Sequence, residues 1–157
     1  MFPNPTATFG YGLTAQPASA VALTTVTGHL ASNATCTAGG STTVMSTASL
    51  AVGTYLLQFG GTAQQDTVAA VGCDIEMVAG TATAAFAGNQ TTSIGSVAGT
   101  ESSYFSFGIE CIVTVTVAGT ISLTCFVGGA SGSVIVLAAG PTNSGPQATG
   151  YTATRIA

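Results

Sequence analysis

Lysine is absent from the chain, and a single arginine, Arg155, and a single histidine, His29, stand among its 157 residues. Binding to nucleic acid needs several cationic side chains, because the counterion release that drives it scales with the number of phosphates paired. No nucleic-acid partner is therefore expected. Anionic membrane surfaces, nucleotide phosphates held by Lys or Arg, and electrostatic steering of acidic substrates are disfavoured on the same ground. Long apolar runs are missing as well. The longest, Val134 to Ala139, falls far short of the ~18 to 20 residues of a membrane-crossing helix, so no membrane partner is expected. The opening residues Met1-Phe2-Pro3-Asn4-Pro5 show neither a basic start nor an apolar stretch, and export by a secretory signal is not expected. Gly-rich stretches such as Gly128-Gly129-Ala130-Ser131-Gly132 contain no G-K-[ST], and no G-x-S-x-G occurs. Neither a phosphate cradle nor a nucleophile elbow is expected. Cys36, Cys73, Cys111 and Cys125 come without a C-x-x-C pair or a nearby histidine, which argues against zinc.

What is present is apolar and hydroxyl-rich. Charged residues make up 4% of the chain, hydrophobic ones 46%, and the net charge is -4. Disordered chains combine low hydrophobicity with high net charge, so this composition predicts a folded domain. Its exterior must be built largely from Thr, Ser, Ala, Gly and Gln. Such a surface gives a free monomer little colloidal protection, which predicts that other subunits cover much of it.

Alternation with period two recurs along the chain, and helix-length amphipathic patterns do not. The expected strands are Ala20 to Thr27, Thr42 to Leu50, Gly53 to Gly60, Thr67 to Val78, Thr81 to Ala87, Ser103 to Val117, Ile121 to Val127, Ser133 to Ala139 and Gly150 to Ile156. Turns bearing Gly and Ser, such as Gly60-Gly61, Ala98-Gly99 and Gly128-Gly129, separate most of them. The pattern predicts an all-β antiparallel sandwich or jelly roll. Cys73, Cys111 and Cys125 fall in phase with apolar strand residues, where a thiol acts as a small hydrophobe. Buried free thiols are expected, with a disulfide as the alternative.

Ile109, Cys111, Val113, Val115 and Val117 share one strand face, as do Ile121, Leu123, Cys125 and Val127. A hairpin that keeps both sets on one side needs a three-residue loop, Ala118-Gly119-Thr120. That register would set Val113 opposite Cys125 and Cys111 opposite Val127, leaving the two cysteines diagonal and too far apart for a disulfide.

Met1 to Gln16 lies outside the strand pattern and carries Phe2, Pro3, Pro5, Phe9 and Tyr11. Proline fixes φ and removes a backbone donor, so the segment reads as an extended arm. The expected organisation is an arm over residues 1–19 and a sandwich over 20–157. Among the carboxylates Asp66, Asp74, Glu76, Glu101 and Glu110, only Asp74 and Glu76 share a strand face. They are the one plausible acid/base or calcium pair. The expectation is that they solvate a sheet face or meet a partner's polar group. His29 is expected to end the first strand at a turn. In the cluster Tyr104, Phe105 and Phe107, the two phenylalanines are in phase with the core and Tyr104 faces away. No residue is assigned a catalytic, cofactor-binding or metal-binding role.

With the strands in order, the chain resembles the tumour-necrosis-factor and complement-type jelly roll in the simplified form found in virion proteins of tailed bacteriophages. Leu50-Ala51-Val52-Gly53-Thr54-Tyr55-Leu56-Leu57-Gln58-Phe59 is similar to that family's "aG-x-Y-x-x-x-f" strand. Val113 to Leu123 looks like its late hairpin, and Gly150 to Ala157 like its terminal strand ending in "A-x-R-I". The resemblance covers roughly Ala20 to Ala157 and gives no counterpart to Met1 to Gln16. It implies a TNF-like jelly roll and a homotrimer, with Tyr55, Tyr104, Tyr151 and Arg155 as candidates for the trimer interface. Arg155 would meet a carboxylate or carbonyl near the threefold axis or a sheet edge.

The function it implies is that of a non-enzymatic capsid decoration protein, assembled in the host cytoplasm and placed on the virion. Its partner would be the major capsid protein or another virion structural protein, contacted by Phe2, Pro3, Pro5, Phe9 and Tyr11 of the arm. The alternative is a receptor-binding tip of a tail fibre or baseplate. That tip would hold host glycan through the loops Gly88 to Gly99 and Gly140 to Gly150, which offer Asn89, Gln90, Asn143 and Gln147. A third reading is a secreted carbohydrate-active enzyme using Asp74 and Glu76.

Overall fold

A computed structural model of the chain describes residues 23–65, 73–94, 104–128, 132–138 and 148–157. The described residues form strands and no helix: β1 (Thr25–His29), β2 (Ala34–Thr37), β3 (Ser41–Ser46), β4 (Gly53–Gln65), β5 (Cys73–Ala79), β6 (Thr83–Gly88), β7 (Thr91–Ile94), β8 (Tyr104–Val117), β9 (Ile121–Val127), β10 (Ser133–Val136) and β11 (Gly150–Arg155). They make two antiparallel sheets. In the larger, β8 pairs with the whole length of β4 and carries β6 on its other side. The far side of β4 is shared: β11 and then β1 follow its first half, β10 and then β2 its second. The smaller sheet runs β3-β9-β5-β7.

The period-two pattern decides what lies between the sheets. In β8, Phe107, Ile109, Cys111, Val113 and Val115 are buried while Ser106, Gly108, Glu110, Ile112 and Thr114 are exposed. In β5, Cys73, Ile75 and Met77 are buried, and Asp74 and Glu76 are exposed. Leu57 and Phe59 from β4 and Leu123 and Val127 from β9 complete the middle of the core. Each such large side chain contributes about 1.5 to 3 kcal/mol by leaving water, set against the chain entropy lost on ordering.

The expected hairpin between β8 and β9 does not form. The strand β8 lies in the larger sheet and β9 in the smaller, so Val113 and Cys125 face one another's sheets and are not hydrogen-bonded neighbours. Facing sheets satisfy the face-sharing rule as well as a hairpin does, because both inward faces are apolar. Residues 118–120 are the crossing between layers. Gly119 exchanges both backbone hydrogen bonds with Leu50, at 2.7 and 3.0 Å, and a Cβ there would come within 2.6 Å of the Thr81 carbonyl carbon.

Other differences have local causes. Ala34–Thr37 and Thr91–Ile94 are strands without an expected counterpart, both short and at sheet edges, where too few residues alternate to give a pattern. Gly60-Gly61 is no turn: β4 runs through it to Gln65. Gly61 sits there because a Cβ would come within 2.7 Å of the Thr149 Cα on the neighbouring segment. Ser133 to Ala139 shortens to Ser133–Val136, and the first strand shifts to Thr25–His29. The arm over 1–19 and residues 67–72 of an expected strand lie outside the described residues.

Candidate functional site

Asp74 and Glu76 do share a face, the outer face of the smaller sheet. Their rows run Ser41-Phe126-Asp74-Ser93 and Thr43-Thr124-Glu76-Thr91 across β3, β9, β5 and β7. Both carboxylates are exposed, and the Ser93 hydroxyl donates to Asp74 Oδ1 at 2.6 Å. Among the described residues no three of His, Cys, Asp and Glu are grouped so that they could hold a metal ion.

The four residues expected at a trimer interface separate into two kinds. Tyr55 and Tyr151 are core groups, 4% and 7% exposed. The Tyr55 hydroxyl donates to the Ala51 carbonyl at 2.9 Å, and the Tyr151 hydroxyl accepts from the Ala48 amide at 2.7 Å. Tyr151 also packs against Phe59 with ring centroids 5.7 Å apart. These contacts within the chain leave both tyrosines almost no surface to offer another subunit. Tyr104 is exposed. Arg155 is half-buried, and its guanidinium donates from Nη2 to the Val52 carbonyl at 3.1 Å and from Nε to the Ala157 carbonyl at 3.3 Å. It thus ties the start of β4 to the end of the chain. Gly53, at φ 156°, gives it room: a Cβ there would come within 2.7 Å of Nε. The arm residues Phe2, Pro3, Pro5, Phe9 and Tyr11 and the loop residues Asn143 and Gln147 lie outside the described residues.

All four cysteines are buried free thiols. The Cys36 and Cys125 side chains share a hydrogen bond, which holds the Cys36 thiol below its ordinary value. The same contact, with one from Cys73 and the effect of burial, pushes Cys125 up. Burial alone pushes Cys111 up, and its thiol lies 3.5 Å from the Met77 sulfur. Raised values keep Cys111 and Cys125 protonated and poorly nucleophilic.

The concave feature lies on the outer face of the larger sheet. Gly108, Gly60 and Gly150 stand directly opposite one another on β8, β4 and β11, and His29 of β1 stands opposite Gly150. The neighbouring row reads Glu110-Gln58-Thr152-Thr27. Three neighbouring strands that each place a glycine in this row leave a dent of about 540 Å³, with Ser106 on its other flank. The Gln58 amide donates to the Glu110 carboxylate, fixing that wall.

Beyond this wall the same face is uncharged and mixes threonines with apolar side chains. One row holds Thr154, Leu56, Ile112 and Ala87, the next Thr54, Thr114 and Ala85, and Ile156 follows just past β11. Ile112 and Ile156 are each 42% exposed. Neither half of the face carries a Lys or Arg. Sequence reasoning misses the site because Gly60-Gly61 reads as a turn between strands. The available signal was Gly60 and Gly108 in outward phase on long strands.

Comparison with family models, curated proteins and solved structures gives no match for this chain. The class the coordinates define is a two-sheet antiparallel sandwich.

Proposed function

We propose that the chain is a structural subunit of a tailed-bacteriophage virion, a homotrimeric capsid decoration protein built on a TNF-like jelly roll. The order of pairing supports the jelly roll. From the ends of the chain inward, β1 pairs with β11, β3 with β9, β4 with β8 and β5 with β7. Such nesting is what a long antiparallel hairpin gives when it is wrapped into two sheets.

The observation that carries the assembly is the uncharged half of the larger sheet's outer face. Leu56, Ile112, Ala85, Ala87 and Ile156, with Thr54, Thr114 and Thr154 between them, form a continuous uncharged surface in a chain with little charge to keep it apart from its copies. Surfaces of this kind are covered in assemblies, and closed symmetry is the usual way of covering them. The virion setting rests on the resemblance of the sequence. Under it, Phe2, Pro3, Pro5, Phe9 and Tyr11 of the arm reach the major capsid protein.

Light scattering after gel filtration should give about three times the chain mass of 15.2 kDa. A well-folded monomer at micromolar concentration overturns the trimer. Protein counting in purified virions should find hundreds of copies per particle; a few to tens would move the protein to the tail.

A further inference from the structure

We propose that the glycine-floored dent on the outer face of the larger sheet is a binding site for a neutral saccharide. The inference does not rest on the virion reading and holds for a monomer or a trimer, since the uncharged rows lie on the other half of the face.

Glycine in a strand has a cost, and two of the three floor glycines have no explanation among the described residues. Neither Gly60 nor Gly108 has a positive φ. A Cβ at Gly108 would meet nothing within 4 Å, and one at Gly60 would meet only the Phe107 carbonyl oxygen, at 3.6 Å. Gly150 differs, because a Cβ there would come within 2.7 Å of the Gly28 carbonyl oxygen and 2.9 Å of His29 Nδ1. Side chains are thus missing from Gly60 and Gly108 although the fold leaves space for them. Strand glycines of this kind mark places where a ligand approaches the backbone closely.

The chemistry of the walls selects the ligand. Glu110, Gln58, Thr152, Ser106 and His29 offer a carboxylate, an amide, two hydroxyls and an imidazole around the floor. With no Lys or Arg on this face, phosphates and carboxylates find no cation to pair with. A ring rich in hydroxyls finds donors and acceptors on both flanks and a flat floor for its C–H face. The Gln58 amide holds Glu110 through Oε2, which leaves Oε1 to accept from sugar hydroxyls, a charge-assisted contact. The dent, about 540 Å³, is of the size that small-ligand sites have.

The test is heteronuclear NMR on the full chain, titrated with glucose, galactose, N-acetylglucosamine and their β-linked disaccharides, with glucuronic acid as the anionic control. Saturable shifts are expected for at least one neutral sugar, confined to the amides of Gly60 and Gly108, the Gln58 side chain and the His29 ring. Gly108→Val should abolish them, since its side chain rises from the floor at a position where a Cβ meets no described atom within 4 Å. Glu110→Gln should weaken binding by ~10-fold through loss of the charge-assisted contact. No saturable shift with any neutral sugar, equal response to glucuronic acid, or unchanged binding in Gly108→Val overturns the proposal. Light scattering on the same samples reports assembly separately, so a monomer that binds sugar defeats the trimer and leaves the site standing.

Discussion

The two sheets bury similar faces and expose different ones. Outward from the smaller sheet stand Ser41, Thr43, Thr124, Thr91, Ser93, the carboxylates Asp74 and Glu76 and one exposed ring, Phe126, a face made mostly of hydroxyls and carboxylates. Outward from the larger sheet stand an uncharged half around Ile112 and Leu56 and a dented half around Gly60 and Gly108. The strands of both follow the same alternation inward, so fold formation does not require the contrast. What the difference teaches is that the inward residues specify the sandwich, while the outward residues record what each sheet meets. Under the proposed trimer, the smaller sheet's outer face stays in water and part of the larger sheet's is covered by a neighbouring subunit.

Replacing Ile112 with Lys should give the largest effect. Ile112 is 42% exposed between Leu56 and Ala87, so a charge there costs the fold little and places an unpaired cation in the proposed interface. The trimer is expected to dissociate at micromolar concentration, as read by light scattering. Phe126→Lys on the smaller sheet is the matched control. Phe126 is 47% exposed and stands opposite Asp74, so its replacement should leave assembly unchanged. If both variants dissociate or neither does, the contrast between the faces has no bearing on assembly.

Next in size is the pair Gly61→Ala and Gly108→Val, which separates glycines the fold needs from glycines it does not. A Cβ at Gly61 meets the Thr149 backbone, which cannot rotate away, so a loss of about 1 to 3 kcal/mol is expected in chemical denaturation. At Gly108 a Cβ meets no described atom within 4 Å, and β propensity favours valine. Its stability should stay within about 0.5 kcal/mol of wild type or rise. A loss at Gly108 equal to that at Gly61 would mean that the dent is a packing requirement.

Much of the sandwich was legible because alternation is local. The inward set of β8, from Phe107 to Val115, and that of β5, from Cys73 to Met77, follow from spacing alone. Sheet membership was not legible at residues 118–120. A tight hairpin and a crossing between layers impose the same parity on Val113 and Cys125, and the pairing of β8 with β4 and of β9 with β5 decides between them. The tyrosines illustrate the same limit. Nothing in their spacing shows that Tyr55 and Tyr151 use their hydroxyls on Ala51 and Ala48 and turn away from the surface. The dent is a relation between three strands far apart in sequence, and it exists only once register aligns Gly108, Gly60 and Gly150.

The smallest effect belongs to the smaller sheet's acidic pair. Asp74 and Glu76 are exposed, and Asp74 has one side-chain partner, the Ser93 hydroxyl at 2.6 Å. Water replaces most of what their charge contributes, and removing one of two like charges on a single face relieves some repulsion. Asp74→Asn combined with Glu76→Gln should therefore change stability by less than about 0.5 kcal/mol and leave the assembled mass unaltered. Saccharide shifts at Gly60 and Gly108 should persist, because the pair lies on the opposite outer face from the dent. The test distinguishes this surface from a catalytic or calcium-binding one. Loss of a hydrolytic activity toward a β-linked disaccharide in the double variant, or a calcium-dependent rise in Tm that it abolishes, would give the smaller sheet a ligand of its own and end the contrast between a wetted face and a contact face.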